Sequence, residues 1–159
     1  MKQVSLLCLV LISLFCSRVH AQCDNTLVEK AASQSGAGAV YLREFKVKFD
    51  GTERRKSIPV AKYPLLLSKG NTYRFNVCNS EEYPGRVILQ LYQKDKLVGS
   101  TFDTSIGTDL QQFDFICDKA ATYEVVMSFH QGKPGCAVGI LSLLPDKEAM
   151  IEDEELDIL

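Results

Sequence analysis

The chain has 159 residues and a formal net charge of −2 at pH 7, with 46% hydrophobic and 24% charged residues. A chain of this length is expected to fold as one domain with a sizeable hydrophobic core. The sequence has no basic stripe and no cationic amphipathic helix, so it predicts no nucleic-acid partner and gives no sign of a membrane-surface helix.

Residues 1–21 have the pattern of a secretory signal peptide. Lys2 provides a positive start, an apolar run covers residues 4–15, and Val19 and Ala21 are residues that signal peptidase accepts. The apolar run is well short of the ~20 residues that a membrane-spanning helix needs. We therefore predict that the peptide is cleaved and is not retained as a membrane anchor.

The predicted cut places the mature N-terminus at Gln22. The alternative, a lipoprotein cut with lipid on Cys23, is less favoured because residues 20–22 do not follow the usual pattern of a leucine and then small residues. No second hydrophobic span follows, so no transmembrane span is expected after cleavage. The sequence thus predicts a secreted or periplasmic protein of the cell envelope.

A short helix is predicted at the start of the mature chain, within residues 22–39. Asp24 can serve as its N-cap, and Gly36 and Gly38 end it. The apolar residues in between recur at helical spacing. They are Leu27, Val28, Ala31 and Ala32.

Residues 40–145 change to the alternation that is typical of half-buried strands. Turn signals recur every 8–12 residues or so, and the region 58–67 carries two prolines, which favours an edge strand. The predicted strands cover residues 41–49, 58–67, 72–78, 87–92, 96–102, 111–117, 122–129 and 136–144. The core candidates in the later strands are Phe113, Phe115, Tyr123, Val125, Met127 and Phe129. The fold class is therefore all-β, an antiparallel, jelly-roll-like sandwich of about seven to eight strands.

The C-terminal tail, residues 146–159, contains seven acidic residues and one lysine. Alternation stops after Pro145, so we expect a disordered tail that does not contribute to the fold. A short amphipathic contact on binding remains the alternative, because five apolar residues are scattered through the tail.

Four cysteines remain after signal cleavage, because Cys8 and Cys16 leave with the signal peptide. An even number in an oxidising compartment predicts two disulfides. A zinc site is the alternative, but it normally needs closely spaced pairs such as C-x-x-C, which the chain lacks. The four remaining residues are Cys23, Cys78, Cys117 and Cys136.

Strand direction suggests how these cysteines pair. If successive strands alternate in direction, Cys78 and Cys136 lie at one end of the sandwich and Cys117 at the other. A bridge needs Cα atoms within roughly 7 Å, which predicts Cys78–Cys136 and leaves Cys23 to pair with Cys117. The alternation of β residues counts against the first bridge, because Cys78 faces away from Val77 whereas Cys136 shares a face with the apolar residues after it.

Few residues in the sequence are candidates for a catalytic role. The mature chain has one histidine, His130, beside the predicted turn 131–135, and a Ser-His-Asp or Cys-His centre would need its imidazole. Asp103, Asp109 and Asp114 can meet across loops as paired catalytic carboxylates or as calcium ligands. The chain has no Asp-x-Asp-x-Asp loop, and acids at strand ends are usually turn residues. We predict no enzyme activity, no metal and no cofactor.

The loop over residues 79–85 is the candidate binding loop. It carries Glu81, Glu82 and Tyr83 between two predicted strands, and binding groups are often placed on such loops of a rigid sandwich. A plain connector shaped by Pro84 and Gly85 is the alternative. The chain has no tryptophan, which weakens a carbohydrate-binding interpretation, although six tyrosines keep it open.

Three stretches, residues 67–77, 87–92 and 113–125, are similar to jelly-roll sandwiches of the bacterial pre-peptidase C-terminal type and to GOLD domains. The chain also looks similar to uncharacterised secreted bacterial proteins of the cell envelope. It departs from the first two families at Ala120 and Ala121, where they usually have glycine. The resemblance implies a β-sandwich with an exported, non-catalytic binding or accessory role, and it transfers no functional residue.

Three functions follow from these patterns, in order of preference. The first is an exported binding or accessory domain that contacts a protein or another cell-envelope component. The second is a sandwich that binds a carbohydrate or small ligand with its tyrosines or in the space between its sheets. The third is a hydrolase that uses carboxylates alone.

Overall fold

The structure is a computed structural model, and it describes residues 23, 25–51 and 57–145. The predicted signal peptide, the N-cap Asp24 and the acidic tail 146–159 lie outside the described residues. Our expectations for them therefore stay predictions.

The described residues form one helix and ten strands. Helix α1 covers Asn25–Ser33, as the sequence predicts, and a 3₁₀ turn at His130–Gly132 lies before the last strand. The strands are β1 (Val40–Phe49), β2 (Ala61–Leu67), β3 (Thr72–Asn79), β4 (Val87–Gln93), β5 (Lys96–Ser100), β6 (Phe102–Asp103), β7 (Thr108–Asp109), β8 (Gln112–Ile116), β9 (Ala121–Phe129) and β10 (Gly135–Leu143).

The eight longer strands make a jelly roll. The first sheet has the order β1-β10-β3-β8, the second has the order β2-β9-β4-β5, and all pairings are antiparallel. Apart from the β4–β5 hairpin, each longer strand lies in the opposite sheet from the one before it, which is the jelly-roll connection. The predicted sandwich is confirmed, and the two extra strands, β6 and β7, form only a two-residue ribbon.

The core lies between the two sheets and follows the predicted alternation. In β9 every second residue is buried, and these are Tyr123, Val125, Met127 and Phe129. The β8 candidates, Phe113 and Phe115, are only half-buried because β8 is an edge strand. Pro64 lies on β2, at the edge of the second sheet, where the missing N–H costs no ladder bond.

Strand β10 is buried on both faces, because α1 covers the outer face of the first sheet. A second apolar cluster joins Ala31 of α1 to Cys78, Val138 and Ile140. Such double burial explains the nearly continuous apolar run in β10. No helix in the described residues is long and apolar enough to cross a membrane.

The predicted disulfide pairing is wrong. Among the described residues there is one bridge, Cys23–Cys136, with Cα atoms 5.8 Å apart, while Cys78 and Cys117 are buried free thiols. The bridge joins the start of the α1 segment to the start of β10. It therefore fastens the helical segment to the outer face of the sheet.

The error came from the position of the N-terminal segment, not from strand direction. Cys117 does lie at the far end, where its N–H donates to the Asn71 carbonyl (2.9 Å), and Cys78 lies at the Cys136 end. Cys78 pairs with Val138, so it shares a face with Cys136 and the expected mismatch of faces does not exist. Cys23 is nevertheless the partner of Cys136, because α1 crosses this face and carries Cys23 to the same end.

Candidate functional site

An open cleft of about 650 Å³, here called the end cleft, lies at the Cys78 end of the sandwich. It is bounded by Lys30 of α1 and Gln34 just after it, by the loop over residues 80–86 and by the segment 109–111. The last residues of β3 form its floor. The jelly-roll connections bring these segments together, although they are far apart in the sequence.

The candidate binding loop forms one wall of this cleft. Glu81 and Tyr83 line the end cleft, and Glu82 lines a smaller groove on the other side of Glu81. The structure thus places the three predicted residues at one surface. Their role in binding stays a prediction.

A salt bridge crosses from the loop to α1. Lys30 Nζ donates to Glu81 Oε1 at 3.0 Å, and the two side chains are 51% and 88% exposed. The hydrogen bond to Glu81 raises the pKa of Lys30, so the ammonium stays charged. Because both groups are exposed, the pair is worth little for stability and remains open to exchange with another charged partner.

Backbone contacts position the loop at both of its ends. The Val87 N–H donates to Asn79 Oδ1 at 2.8 Å, and the Gly85 N–H donates to the Pro134 carbonyl at 2.9 Å. A Cβ atom at Gly85 would stand only 2.5 Å from that carbonyl oxygen, which explains glycine at this position. The loop is therefore held as a defined surface.

Tyr83 and Cys78 add an aromatic ring and a thiol to the site. Lys48 Nζ lies 5.6 Å from the centre of the Tyr83 ring, a cation–π distance. The Cys78 thiol at the floor of the cleft is 7% exposed, and burial raises its pKa. A thiol with a raised pKa forms little thiolate at neutral pH, so Cys78 is a poor nucleophile.

His130 is held by packing and not beside a nucleophile. Its ring packs against Phe102 with centroids 5.1 Å apart, and the backbone N–H of His130 donates to the Arg86 carbonyl at 2.9 Å. This backbone bond joins the 3₁₀ turn to the end of the loop over residues 80–86. No catalytic role follows from these contacts.

The three candidate aspartates have different partners. Asp103 accepts hydrogen bonds from the Ser105 N–H (2.8 Å) and Oγ (2.6 Å), which lower its pKa and mark it as a turn residue. Both carboxylate oxygens of Asp114 accept from Arg74, at 2.7 and 2.8 Å. Only Asp109 lines the end cleft. Within the described ranges, no group of three or more His, Cys, Asp or Glu residues could hold a metal ion.

Sequence reasoning missed half of the cleft. Lys30 was assigned only to a helix, and Arg86, Leu110 and Gln111 were not singled out. No local signal could have found them, because they meet only through the position of α1 and the change of sheet near residue 110. The polar loop was the single part with a recognisable pattern.

Comparison with known proteins gives only distant structural likeness. No family model matches the chain, and no curated protein matches it. The fold is similar to a solved structure from Aeromonas hydrophila, PliG, a periplasmic inhibitor of g-type lysozyme. The two are 13% identical with a TM-score of 0.48, and the match covers 68% of this chain and 90% of that one. At this distance we transfer no partner and no residue role.

Proposed function

We propose that this chain is an exported, non-catalytic domain that binds another protein through the end cleft. The observation that carries the proposal is the cleft itself, an open surface built by three segments that the scaffold holds in place. Its rim carries both signs of charge, from Lys30 and Arg86 and from Glu81 and Asp109. Charges in this arrangement favour the specificity and register of a protein contact.

The disulfide supports the exported part of the proposal. Cys23–Cys136 joins the N-terminal segment to the sandwich across 113 residues of sequence. Disulfides form and persist in oxidising compartments outside the cytosol. This agrees with the predicted signal peptide and with a secreted or periplasmic location in the cell envelope.

A carbohydrate or small ligand is the second candidate, and the size of the cleft favours it. Its volume of about 650 Å³ lies within the roughly 300–1,000 Å³ of small-molecule sites. Such sites are mostly apolar, however, whereas charged and amide side chains surround this one. Tyr73 and Tyr123 are buried in the core and offer no ring to a sugar. The space between the sheets is filled by core side chains.

A hydrolase based on carboxylates has the least support. The Asp114 carboxylate accepts hydrogen bonds from Arg74, and the Asp103 carboxylate accepts hydrogen bonds within its own turn. These bonds do not favour a general acid or base role for either group. Asp109 alone borders the cleft.

Site-specific photo-crosslinking tests the proposal. A benzoylphenylalanine replaces Tyr83 at the cleft, and the same residue replaces Lys94 in the β4–β5 turn at the opposite end as the matched control. The variants are exposed to an extract of secreted and envelope proteins from the source organism. We expect a discrete protein adduct from position 83 and none from position 94.

Two results would contradict protein binding at the cleft. One is equal crosslinking from both positions, which indicates nonspecific association and no defined binding site. The other is binding on a glycan array that is lost in Tyr83→Ala, which favours the second candidate. A charge reversal, Glu81→Lys, should weaken the adduct from position 83 if the rim charges set the register of the partner.

A further inference from the structure

The floor of the end cleft is a strand edge that β8 does not cover. β3 and β8 pair in register as far as Asn76 and Gln112. One more bond joins the Val77 N–H to the Gln111 carbonyl at 2.9 Å. β3 then continues to Asn79 beyond the start of β8.

The chain before β8 leaves this edge for the second sheet. The Leu110 N–H donates to the Thr101 carbonyl at 2.8 Å, and Asp109 pairs with Phe102 in the small ribbon. The segment that would have extended β8 along Asn79 is therefore bonded elsewhere. The end cleft occupies the place beside Asn79.

Strand geometry gives the direction of the Asn79 backbone groups. In an antiparallel sheet, successive residues direct their N–H and C=O groups to opposite sides. Val77 donates towards the β8 side, and Ser80 donates to the Cys136 carbonyl (2.8 Å) on the β10 side. Asn79 therefore directs both its N–H and its C=O into the end cleft.

These groups have no backbone partner on the cleft side among the described residues. The Asn79 carbonyl has a single long contact, 3.9 Å from Cys78 Sγ. Asn79 is half-buried, so its backbone groups stand in a recess and not on a flat surface. An edge of this kind is a template for pairing with another chain.

We infer that the end cleft accepts an extended segment of the partner protein as an added strand on the β3 edge. This inference rests on the proposed function and names the conformation of the partner. The segment accepts a hydrogen bond from the Asn79 N–H and donates to the Asn79 carbonyl. Backbone bonds of this type give affinity, and the side-chain pockets give specificity.

The walls of the cleft set the chemistry of the segment. Successive side chains of a strand point to opposite faces. One set faces α1 and meets the exposed Lys30–Glu81 pair, which suits a charged or polar residue. The next set faces Leu110, which is 41% exposed, and this suits an aliphatic residue. The expected segment alternates polar and aliphatic side chains.

A library of unstructured twelve-residue peptides, displayed on phage and selected on the oxidised mature chain, supplies the probe. Selected peptides are tested on two matched variants, Asp109→Trp and Thr108→Trp. Asp109 borders the cleft, whereas its neighbour Thr108 is exposed and does not. NMR reports the bound conformation, from cross-strand contacts between the peptide and residues 77–79 and from the exchange rate of the backbone N–H of Asn79.

We expect peptides with alternating polar and aliphatic residues that bind the Thr108→Trp variant and lose binding to Asp109→Trp. The backbone N–H of Asn79 should become protected from hydrogen exchange. N-methylation of the peptide amide that faces the Asn79 carbonyl should lower affinity about tenfold, whereas N-methylation of the next amide, which faces away, should not.

Several outcomes would overturn the inference. They are a helical bound peptide, binding that Asp109→Trp leaves intact, a selection that returns no binder, and pairing of this edge with a second copy of the chain. If crosslinking from position 83 succeeds while the peptides show no strand pairing, protein binding stands and only the added strand is refuted.

Discussion

Asn76 is a buried amide between α1 and the first sheet. Its Nδ2 donates to the Ala31 carbonyl at 2.7 Å, and its Oδ1 accepts from Ser35 Oγ at 3.0 Å. Next to it, Arg74 Nη1 donates to the Ser35 carbonyl at 3.0 Å, and the Asp114 carboxylate raises the pKa of Arg74. The first bond gives the Ala31 carbonyl a second donor beside the backbone N–H of the turn that ends α1, and the other two hold Ser35, just after the helix. They also fix where the helix ends on the sheet.

Asn76→Ala should destabilise the protein by about 1–3 kcal/mol, because it removes the buried hydrogen bond to the Ala31 carbonyl and leaves the buried Ser35 hydroxyl without its acceptor. Urea unfolding of the oxidised chain measures the change. Gln112→Ala is the control, since Gln112 is exposed and pairs with Asn76 on β8. We expect this control to cost less than about 0.5 kcal/mol. Equal losses in the two variants would show that Asn76 does not anchor α1.

Helix α1 covers the outer face of the first sheet of the sandwich. It is attached by the Cys23–Cys136 bridge at one end and by Asn76 and Arg74 at the other. Its nine residues are too few for a stable isolated helix in water, so its structure depends on this attachment. Because Lys30 borders the end cleft, the same attachment positions one wall of the site.

Removing the bridge should loosen α1 before the sandwich. We expect Cys23→Ser/Cys136→Ala to lower the free energy of unfolding by about 2–4 kcal/mol. Hydrogen exchange should accelerate in α1 and stay slow in β9. The double variant is needed because Cys136 and Cys78 share a face on neighbouring strands and could otherwise form a substitute bridge.

Lys30→Ala is the matched control for the bridge, since it removes only the exposed ion pair with Glu81. Its effect on stability should be small, with exchange in α1 unchanged, because solvent screens an exposed pair. If the double variant also left exchange in α1 unchanged, packing and hydrogen bonds alone would hold the helix and our account of the bridge would be wrong.

At the scale of the whole molecule, the bridge bears on how the exported chain is processed. The sulfur of Cys23 is bonded to Cys136, so it is not free to carry a lipid. The lipoprotein alternative and this structure therefore exclude each other. A cut after Ala21 retains Cys23 as the second residue of the mature chain, close to the sandwich that it joins.

Intact-mass measurement of the exported protein tests this processing. We expect a chain that begins at Gln22, carries no lipid and is two hydrogen masses lighter than its reduced form. The same mass shift should disappear in Cys23→Ser/Cys136→Ala. A chain that still begins at Met1, or a lipid on Cys23, would refute the predicted cleavage.

Local patterns in the sequence were enough for the strands, the helix and the jelly-roll-like class. Strands such as β9 show alternating apolar residues, β10 shows a nearly continuous apolar run, and the turns carry glycine, proline or polar residues. The candidate loop was recognisable for the same reason, because its acids and tyrosine are consecutive. Alternation and turn chemistry act over a few residues, so they can be read without knowing the rest of the fold.

Contacts between distant segments were decided by the tertiary structure. Side chains alternate along β3, so Arg74, Asn76 and Cys78 lie on the face away from the core between the sheets, and only the docking of α1 makes that face an interior. The same docking gives Cys136 its partner. The uncovered edge at Asn79 arises because the chain changes sheets at Leu110. Burial, disulfide choice and strand edges depend on which segments meet across the sandwich, and a linear pattern of side chains does not record that.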